Sequence, residues 1–374
     1  MLNQLSVLSG YVKTSRAIAK QREDLNATAV FTKMAICRLL CGIDDVNFAY
    51  YNLQNKSLRH CTEYLTKREM DALEEQINTH EKSLLDDKIR FWNRATSATL
   101  PTPNILAVLN PERVDVGVPV HVPQLFELSQ FEAFLRRMHG QRLVLKLAAG
   151  SYGVGMASIQ VSDTLTDHLG NATSPNDLLQ YCLTTLSQTG SGQRDLPSAR
   201  CYVIQEHMLP HPSLQPVMPG LALGTFRIVT YVDRRDFLSI PFAFAKIPRQ
   251  HSLNDNFHHG TTGNLLCGIH ISDGRLMDAR GRIDPTTVFI ERIERHPDSG
   301  FRFQDFFIPQ WQAVLEAARR AARAFPEFRT VGWDVALTTT GPMILEGNWH
   351  YDPDGPQITL DRGIKSEIRS LFGT

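Results

Sequence analysis

The spacing of apolar side chains changes near residue 95. Before that point they recur every three or four positions, as Leu5, Leu8 and Val12 do, which is the pattern of a helix with one apolar face. Thr66 and Glu69 form a capping box, a signature of a helix start. The predicted helices are residues 1–20, 28–41, 67 to about His80, and 84–92.

Beyond Pro101 and Pro103 the apolar runs shorten to the length of β-strands. The predicted strands are residues 143–146, 157–161, 201–206, 225–232, 237–246, 330–337 and 343–348. The predicted helices between and after them are residues 174–188, 309–325 and 363–372. Helices first, then strands and helices interleaved, predict an α+β protein with an N-terminal helical region.

Composition narrows the classes of protein that fit. The chain has 39 basic and 39 acidic residues, so nothing predicts sequence-independent binding to nucleic acid, which needs a basic excess on one face, and any anion site must be local. Its six cysteines lack zinc-ligand spacing, so we expect buried thiols in a reducing compartment. No apolar run approaches the roughly 18 residues of a membrane span, and no signal peptide is predicted. We expect a cytoplasmic protein.

The last predicted hairpin carries three oxygen-bearing side chains. Asp334 interrupts one apolar strand, and Glu346 and Asn348 stand two apart on the next, so that both point to one face. Pairing of the strands can bring all three together, and carboxylates buried beside apolar neighbours need a partner such as Mg²⁺. The alternative is that they are ordinary polar residues at strand ends.

A glycine-rich turn follows Lys146, which ends a predicted strand. The turn reads Gly150-Ser151-Tyr152-Gly153-Val154-Gly155. A lysine and backbone N–H groups of glycines suit phosphate oxygens. The string is neither a Walker A sequence nor a dinucleotide fingerprint. A tight β-hairpin turn is the alternative.

Two further cations lie in apolar strands. Arg227 is flanked by Phe226 and Ile228, and Lys246 ends the following strand. Buried cations need anionic partners, which leaves either a phosphate, with both residues as catalytic candidates, or a structural Asp or Glu. No Ser-His-Asp pattern with a nucleophile elbow is present.

Taken in chain order, these segments resemble the ATP-grasp superfamily, and most closely its branch of sugar-transfer-associated ATP-grasp proteins. The segments are Asp87-Lys88, Lys146 with the glycine-rich loop, Gln205-Glu206, Thr225-Phe226-Arg227, residues 260–263, His296-Pro297, and Gly332-Trp333-Asp334 with Glu346-Gly347-Asn348. The resemblance implies an ATP-grasp fold with two α+β lobes around ATP. Its regions would be the helical region 1–95, a first lobe 96–210 and a second lobe 211–374.

The resemblance also implies roles for residues. Lys88 and Lys146 match the two lysines that reach the ATP phosphates. The other matches are the loop of Gly150, Ser151, Tyr152, Gly153 and Gly155 as a lid, Gln205, Glu206 and Met208 as the adenine hinge, Arg227 as the cation on the γ-phosphate or acyl-phosphate, and Asp334, Glu346 and Asn348 as Mg²⁺ ligands. One departure is that no Asp or Glu lies between Glu206 and Asp233 to hold the ribose.

The activity implied is ligation of a small-molecule carboxylate to an amine through an acyl-phosphate, with ATP and Mg²⁺ as cofactors. The family name suggests a polysaccharide or natural-product pathway. His258, His259 and His350 are candidates for the acceptor site, although a structural role is the usual one for a single histidine. A kinase that phosphorylates a hydroxyl and a non-catalytic nucleotide-binding protein stay open as alternatives, as do the two substrates and the oligomeric state.

Overall fold

Helices fill the first part of the chain and two β-sheets the rest. The computed structural model describes residues 2–22, 24–78, 81–150, 153–189, 196–284 and 286–373. The N-terminal helices are α1 (Leu2–Gln21), α2 (Ala27–Cys41), α3 (Asp45–Tyr50), α4 (Leu58–Cys61), α5 (Lys67–Ile77), α6 (Ser83–Asp86) and α7 (Lys88–Ser97).

Local side-chain caps set the ends of these helices. Thr66 and Glu69 form the predicted capping box at the start of α5. That helix ends at Ile77, and His80 lies outside the described residues. The single helix expected over 84–92 is two, because Asp87 leaves the helical conformation and its carboxylate accepts the backbone N–H of Ile89 at 2.8 Å.

The first sheet has the strand order β2-β1-β7-β3-β4-β5-β6. Its elements are β1 (Ile105–Leu109), β2 (Gln124–Leu125), α8 (Leu128–Arg137), β3 (Arg142–Leu147), β4 (Ala157–Gln160), β5 (Leu165–Asp167), β6 (Ala172–Thr173), α9 (Pro175–Thr189) and β7 (Tyr202–Glu206). Strand β3 alternates: Leu143 and Leu145 pack in a core with Phe131 of α8, which leaves Val144 and Lys146 on the opposite face.

The second sheet is antiparallel, with the order β12-β11-β10-β9-β8-β13-β14. Its elements are β8 (Thr225–Val232), β9 (Leu238–Ile247), β10 (Leu265–Ile269), β11 (Leu276–Gly281), β12 (Glu291–Ile293), α10 (Trp311–Ala324), β13 (Thr330–Thr338) and β14 (Gly341–Asn348). The C-terminal helices are α11 (Asp354–Thr359) and α12 (Lys365–Phe372). Helix α10 packs through Trp311, Val314 and Leu315 on one face, which leaves the other face to polar side chains.

Helix α5 is fixed to the second sheet by one buried asparagine. The Nδ2 of Asn78 donates to the carbonyl oxygens of Thr330 (2.9 Å) and Trp349 (3.3 Å), and its Oδ1 accepts from the N–H of Arg329 (2.9 Å). The end of α5 therefore meets the end of β14.

The six cysteines are unpaired and buried, as predicted. None of the described helices combines the length and apolar surface that crossing a bilayer requires.

Candidate active site

A cavity of about 430 Å³ lies between the two sheets. From the first sheet it is lined by Arg142, Val144 and Lys146, and from the second by Lys246, Asp334 and Glu346 among others. Residues 219–223 and 250–256 form its rim. This volume suits a small ligand or nucleotide, and most of the predicted site residues line it.

Lys146 and Lys88 give the first-sheet wall a positive charge. Lys146 lies on the face of β3 that looks away from the apolar core, and burial lowers its pKa although Glu346 across the cavity raises it. No described carboxylate forms an ion pair with either lysine. The ammonium of Lys88 donates to the carbonyl oxygen of Gly150 at 2.7 Å. A buried cation without a carboxylate partner is a site for an anion.

The glycine-rich loop reaches across to the second lobe. Gly153 has φ +67°, and a Cβ there would lie 2.6 Å from Nδ2 of Asn256 and 2.7 Å from Nδ2 of Asn254. Glycine is therefore required where the loop meets the rim. Gly150 and Gly153 line the cavity, whereas Ser151 and Tyr152 lie outside the described residues.

Gly155 is placed differently from the rest of the loop. It is not among the residues lining the cavity, and a Cβ there would lie 2.5 Å from the hydroxyl oxygen of Tyr202 and 2.6 Å from Cγ2 of Thr185. Its glycine serves close packing of the loop on the first sheet.

The predicted hinge forms one end of the cavity. Gln205, Glu206, His207 and Met208 all line it. The side chain of Glu206 accepts the backbone N–H of Asn104 at 2.9 Å, and burial lowers the pKa of His207 to about 4, so that its imidazole is neutral at pH 7. The hinge therefore offers backbone groups and a neutral imidazole.

Four charged side chains form a closed network on the second sheet. Strand register places Asp334 beside Arg227, and Nη2 of Arg227 donates to Oδ2 of Asp334 at 2.8 Å. The ammonium of Lys246 lies 3.1 Å from Oδ2 of Asp334 and 3.3 Å from Oδ1 of Asp255. Burial opposes ionisation of Asp334, yet Arg227 and Lys246 hold its pKa well below the usual range. The network thus holds two cations against the ionised Asp334 and the carboxyl group of Asp255, whose pKa burial raises although Lys246 lowers it.

This network bears on the two alternatives that the sequence left open for the strand cations, a phosphate or a structural carboxylate. Arg227 has a structural carboxylate partner, and it is not among the residues that line the cavity. Lys246 is paired in the same way but lines the cavity. Sequence reasoning missed Asp255, and the only signal for it was its place in the polar string Asn254-Asp255-Asn256.

Glu346 is the carboxylate on this wall that forms no ion pair with a described cation. It lies opposite Asp334 in the β13–β14 register and lines the cavity, while no described cation forms an ion pair with it. Asn348 lies two residues on, and its Nδ2 is 3.4 Å from Oε1 of Glu346 and 3.4 Å from the carbonyl oxygen of Gly332. The three predicted oxygen donors therefore share one face, although Asn348 does not itself line the cavity.

The candidate acceptor histidines do not meet at this site. His350 turns toward α5, with Nδ1 3.8 Å from Oδ1 of Asp71. The ring of His259 lies 5.1 Å from that of Tyr50 in the N-terminal helices. None of His258, His259 and His350 lines the cavity.

Comparison with known proteins places this architecture in a family. The sequence model of the family described as "Sugar-transfer associated ATP-grasp" matches residues 68–371. The match begins inside α5 and includes both sheets and the cavity between them. No curated protein matches the chain significantly.

Solved structures of ATP-grasp enzymes align with most of the chain at low similarity. An ADP complex of N5-carboxyaminoimidazole ribonucleotide synthetase shares 12% identity over 83% of this chain and 59% of its own, with a TM-score of 0.39. Biotin carboxylase from Campylobacter jejuni shares 11% sequence identity, and the alignment covers 78% of this chain and 47% of the carboxylase, with a TM-score of 0.40. D-alanyl-alanine synthetase A from Vibrio cholerae shares 9% sequence identity, and the alignment covers 78% of this chain and 66% of the synthetase, with a TM-score of 0.41. The chain thus spans about half to two thirds of the length of these proteins.

Proposed function

This chain belongs to the sugar-transfer associated ATP-grasp family, and we propose that it is an ATP- and Mg²⁺-dependent ligase that joins a small-molecule carboxylate to an amine. One observation supports this most directly: the cavity has unpaired lysines on one wall and an unpaired carboxylate on the other, among the residues that the structure describes. A triphosphate with its divalent cation has the complementary charge distribution.

The first-sheet wall would bind the phosphates. Lys146 and Lys88 contribute point charges, and the loop of Gly150 and Gly153 can bring backbone N–H groups close to phosphate oxygens because glycine permits the approach. The hinge of Gln205 to Met208 would hold the base. The ribose contact stays unassigned, because no carboxylate follows the hinge before Asp233.

The second-sheet wall would hold Mg²⁺. Glu346 is the principal candidate ligand because it lines the cavity without a described cation partner, and Asp334 and Asn348 share its face of the sheet. Carboxylate and amide oxygens fit the preference of Mg²⁺ for hard donors. When bound, the ion would supply positive charge beside the phosphate oxygens.

Arg227 and Lys246 would act chiefly by positioning. Both hold the carboxylate of Asp334 ionised and fixed in direction, which preserves the ligand geometry beside Glu346. Lys246 also lines the cavity, so its ammonium can contact a transferred phosphoryl group. Groups held in place before the reaction contribute most to stabilising a charged transition state.

The proposed reaction has two steps. A carboxylate oxygen of the substrate attacks the γ-phosphorus, the bond to the bridging β–γ oxygen breaks, and ADP leaves with that electron pair. The amine then attacks the acyl carbon of the acyl-phosphate, loses a proton, and expels inorganic phosphate. Alignment and charge neutralisation are sufficient for both steps, so no protein nucleophile is needed.

The nucleotide site can be tested without knowing either substrate. We expect Mg²⁺-dependent binding and slow hydrolysis of ATP by the purified protein, with turnover lowered about 100-fold or more by Glu346→Gln. Glu294→Gln is the matched control, because Glu294 has an exposed side chain and does not line the cavity. Equal turnover of wild type and Glu346→Gln would remove Glu346 from the site.

Hydroxylamine distinguishes a ligase from a kinase. It attacks an acyl-phosphate to give a stable hydroxamate and free phosphate, whereas a phosphate ester does not react. We expect ATP-dependent hydroxamate from at least one member of a panel of amino acids and uronic acids. A stable phosphate ester formed from a hydroxyl substrate, without hydroxamate, would make the protein a kinase instead.

A further inference from the structure

A second group of possible metal ligands lies between α5 and the end of β14. Asp71 and Glu74 are three residues apart on α5 and so share one helix face, and His350 stands two residues beyond β14. One ligand atom from each of the three lies within 4.8 Å of the others. None of the three lines the cavity between the sheets, so this group is separate from the proposed nucleotide site.

Glu74 is the most unusual member of the group. Its side chain is fully buried, with 0% exposed. One carboxylate oxygen accepts the backbone N–H of Tyr351 at 3.1 Å, and the other has no hydrogen-bond partner among the described residues. Burial raises the pKa of Glu74. Leaving a buried carboxylate oxygen unpaired costs free energy, which a proton or a cation can relieve.

The imidazole of His350 is also incompletely paired. Its Nε2 is buried and lacks a hydrogen-bond partner in the described part of the chain, although it lies 4.0 Å from Oε1 of Glu75. Its Nδ1 lies 3.8 Å from Oδ1 of Asp71, which is close but beyond hydrogen-bond distance. An imidazole nitrogen without a hydrogen-bond partner can donate its lone pair to a metal.

The local charge favours a divalent cation. Within the described ranges, one ammonium group, that of Lys67, faces the three carboxylates of Asp71, Glu74 and Asp352. It donates a hydrogen bond to Oδ1 of Asp71 and lies 3.5 Å from Oδ1 of Asp352. With all three carboxylates ionised, this leaves two negative charges uncompensated. The nearby Glu75 is paired with Lys82 at 3.3 Å and adds no net charge.

We propose that Asp71, Glu74 and His350 form a binding site for a divalent transition-metal ion such as Zn²⁺, with water completing the coordination. One imidazole nitrogen and two carboxylate oxygens are a ligand set that such ions accept, whereas Mg²⁺ avoids nitrogen. The site would tie α5 to the segment after β14, the strand that carries Glu346 and Asn348. It does not depend on the proposed reaction.

Co²⁺ is a suitable probe because its visible absorption reports nitrogen and oxygen ligands. We expect nucleotide-free protein that carries Glu346→Gln to bind one Co²⁺ per chain, displaced by Zn²⁺, since that background weakens the metal site of the cavity. Glu74→Gln and His350→Asn, each added to this background, should weaken Co²⁺ binding by about 100-fold, at or above the upper end of what the loss of an outer-shell partner costs. Glu132→Gln and His139→Asn, both on the first lobe, should leave it unchanged.

Two results would overturn the proposal. One is the absence of Co²⁺ binding in the Glu346→Gln protein at micromolar concentration, which would mean that Glu74 is simply protonated. The other is binding that Glu74→Gln and His350→Asn do not affect. Should either variant fail to fold, anomalous scattering at the zinc edge from crystals of the wild-type protein soaked in Zn²⁺ locates the ion directly, and the absence of an ion between Asp71, Glu74 and His350 refutes the assignment.

Discussion

The two walls of the cavity carry similar cations in opposite electrostatic states. Lys146 on the first sheet and Lys246 on the second are both lysines on strands, largely buried and facing the same space. Burial lowers the pKa of Lys146, whereas at Lys246 the effect of burial is outweighed by Asp255 and Asp334, and the pKa rises. The difference is the presence of carboxylate partners.

This contrast separates a binding cation from a structural one. Lys146 forms no ion pair among the described residues, although Glu346 acts on it from across the cavity, and it is stabilised further when an anion enters. Lys246 and Arg227 already have counter-charges, so their removal disturbs the protein itself. Lys146 and Lys246 are alike in residue type and in their position on a strand, and only their carboxylate partners distinguish them.

The largest effect is expected from removing the central carboxylate of the second wall. Asp334→Asn leaves Arg227 without an ion-pair partner among the described residues and Lys246 with Asp255 alone, and we expect the free energy of unfolding to fall by about 3–5 kcal/mol. Urea denaturation followed by circular dichroism measures the change. Asp305→Asn, at an exposed position outside the network, is the control.

A double variant makes this prediction specific. Removing Arg227 together with the carboxylate, as Arg227→Met with Asp334→Asn, eliminates one unpaired cation, and the double variant should be more stable than Asp334→Asn alone. A loss below about 1 kcal/mol in the single variant would show that the network is not what holds the second wall together.

The same substitution on both walls should give opposite phenotypes. Lys146→Met removes a buried cation without a described partner, so ATP turnover should fall by about 10²–10³-fold while stability is unchanged or rises. Lys246→Met leaves Asp255 and Asp334 undercompensated and should lower stability. Lys13→Met, at an exposed position of α1, is the control for both measurements. If Lys146→Met and Lys246→Met lowered the free energy of unfolding equally, the two walls would not differ in the way proposed.

Sequence reasoning found the strands of the site but not the state of its charges. The hairpin of Asp334 and Glu346 was predictable, because alternation within apolar strands fixes which side chains share a face. The pairing of Arg227 with Asp334 depends on β8 lying beside β13, although about a hundred residues separate them in the chain. The spacing of apolar residues carries no information about such long-range neighbours.

Strand β10, which was not predicted, shows a second limit of reasoning from the sequence. Strand β10 is a continuously buried apolar run, which has neither the period of a strand nor that of a helix. The assignment of residues 1–95 as helical was more successful, since caps such as Thr66 with Glu69 are local in sequence. Asp71, Glu74 and His350 could not have been linked, because α5 meets the end of β14 only in the folded chain.

A smaller effect is expected from an ion pair at the rim of the cavity. Arg249 donates from Nε to Oδ2 of Asp298 at 2.8 Å, and Asp298 also accepts the backbone N–H of Gln250, which lines the cavity. The hydrogen bond from Arg249 holds the pKa of Asp298 to about 2, below its usual value of about 3.9. The two side chains are paired like those of the second wall but are less buried.

The sign of its pH dependence follows from that lowered pKa. A carboxylate with a depressed pKa contributes stability that is fully present above about pH 4 and is lost as the pH falls through about 2. Asp298→Asn should therefore lower the free energy of unfolding by about 1–2 kcal/mol at pH 7, and the difference from wild type should shrink between pH 4 and pH 2. Urea titrations across that range measure the difference in the free energy of unfolding. A difference that stays constant with pH would mean that the ion pair itself contributes nothing and that the variant merely packs less well at this position. Charge pairing would then stabilise the second-sheet wall of the cavity but not its rim.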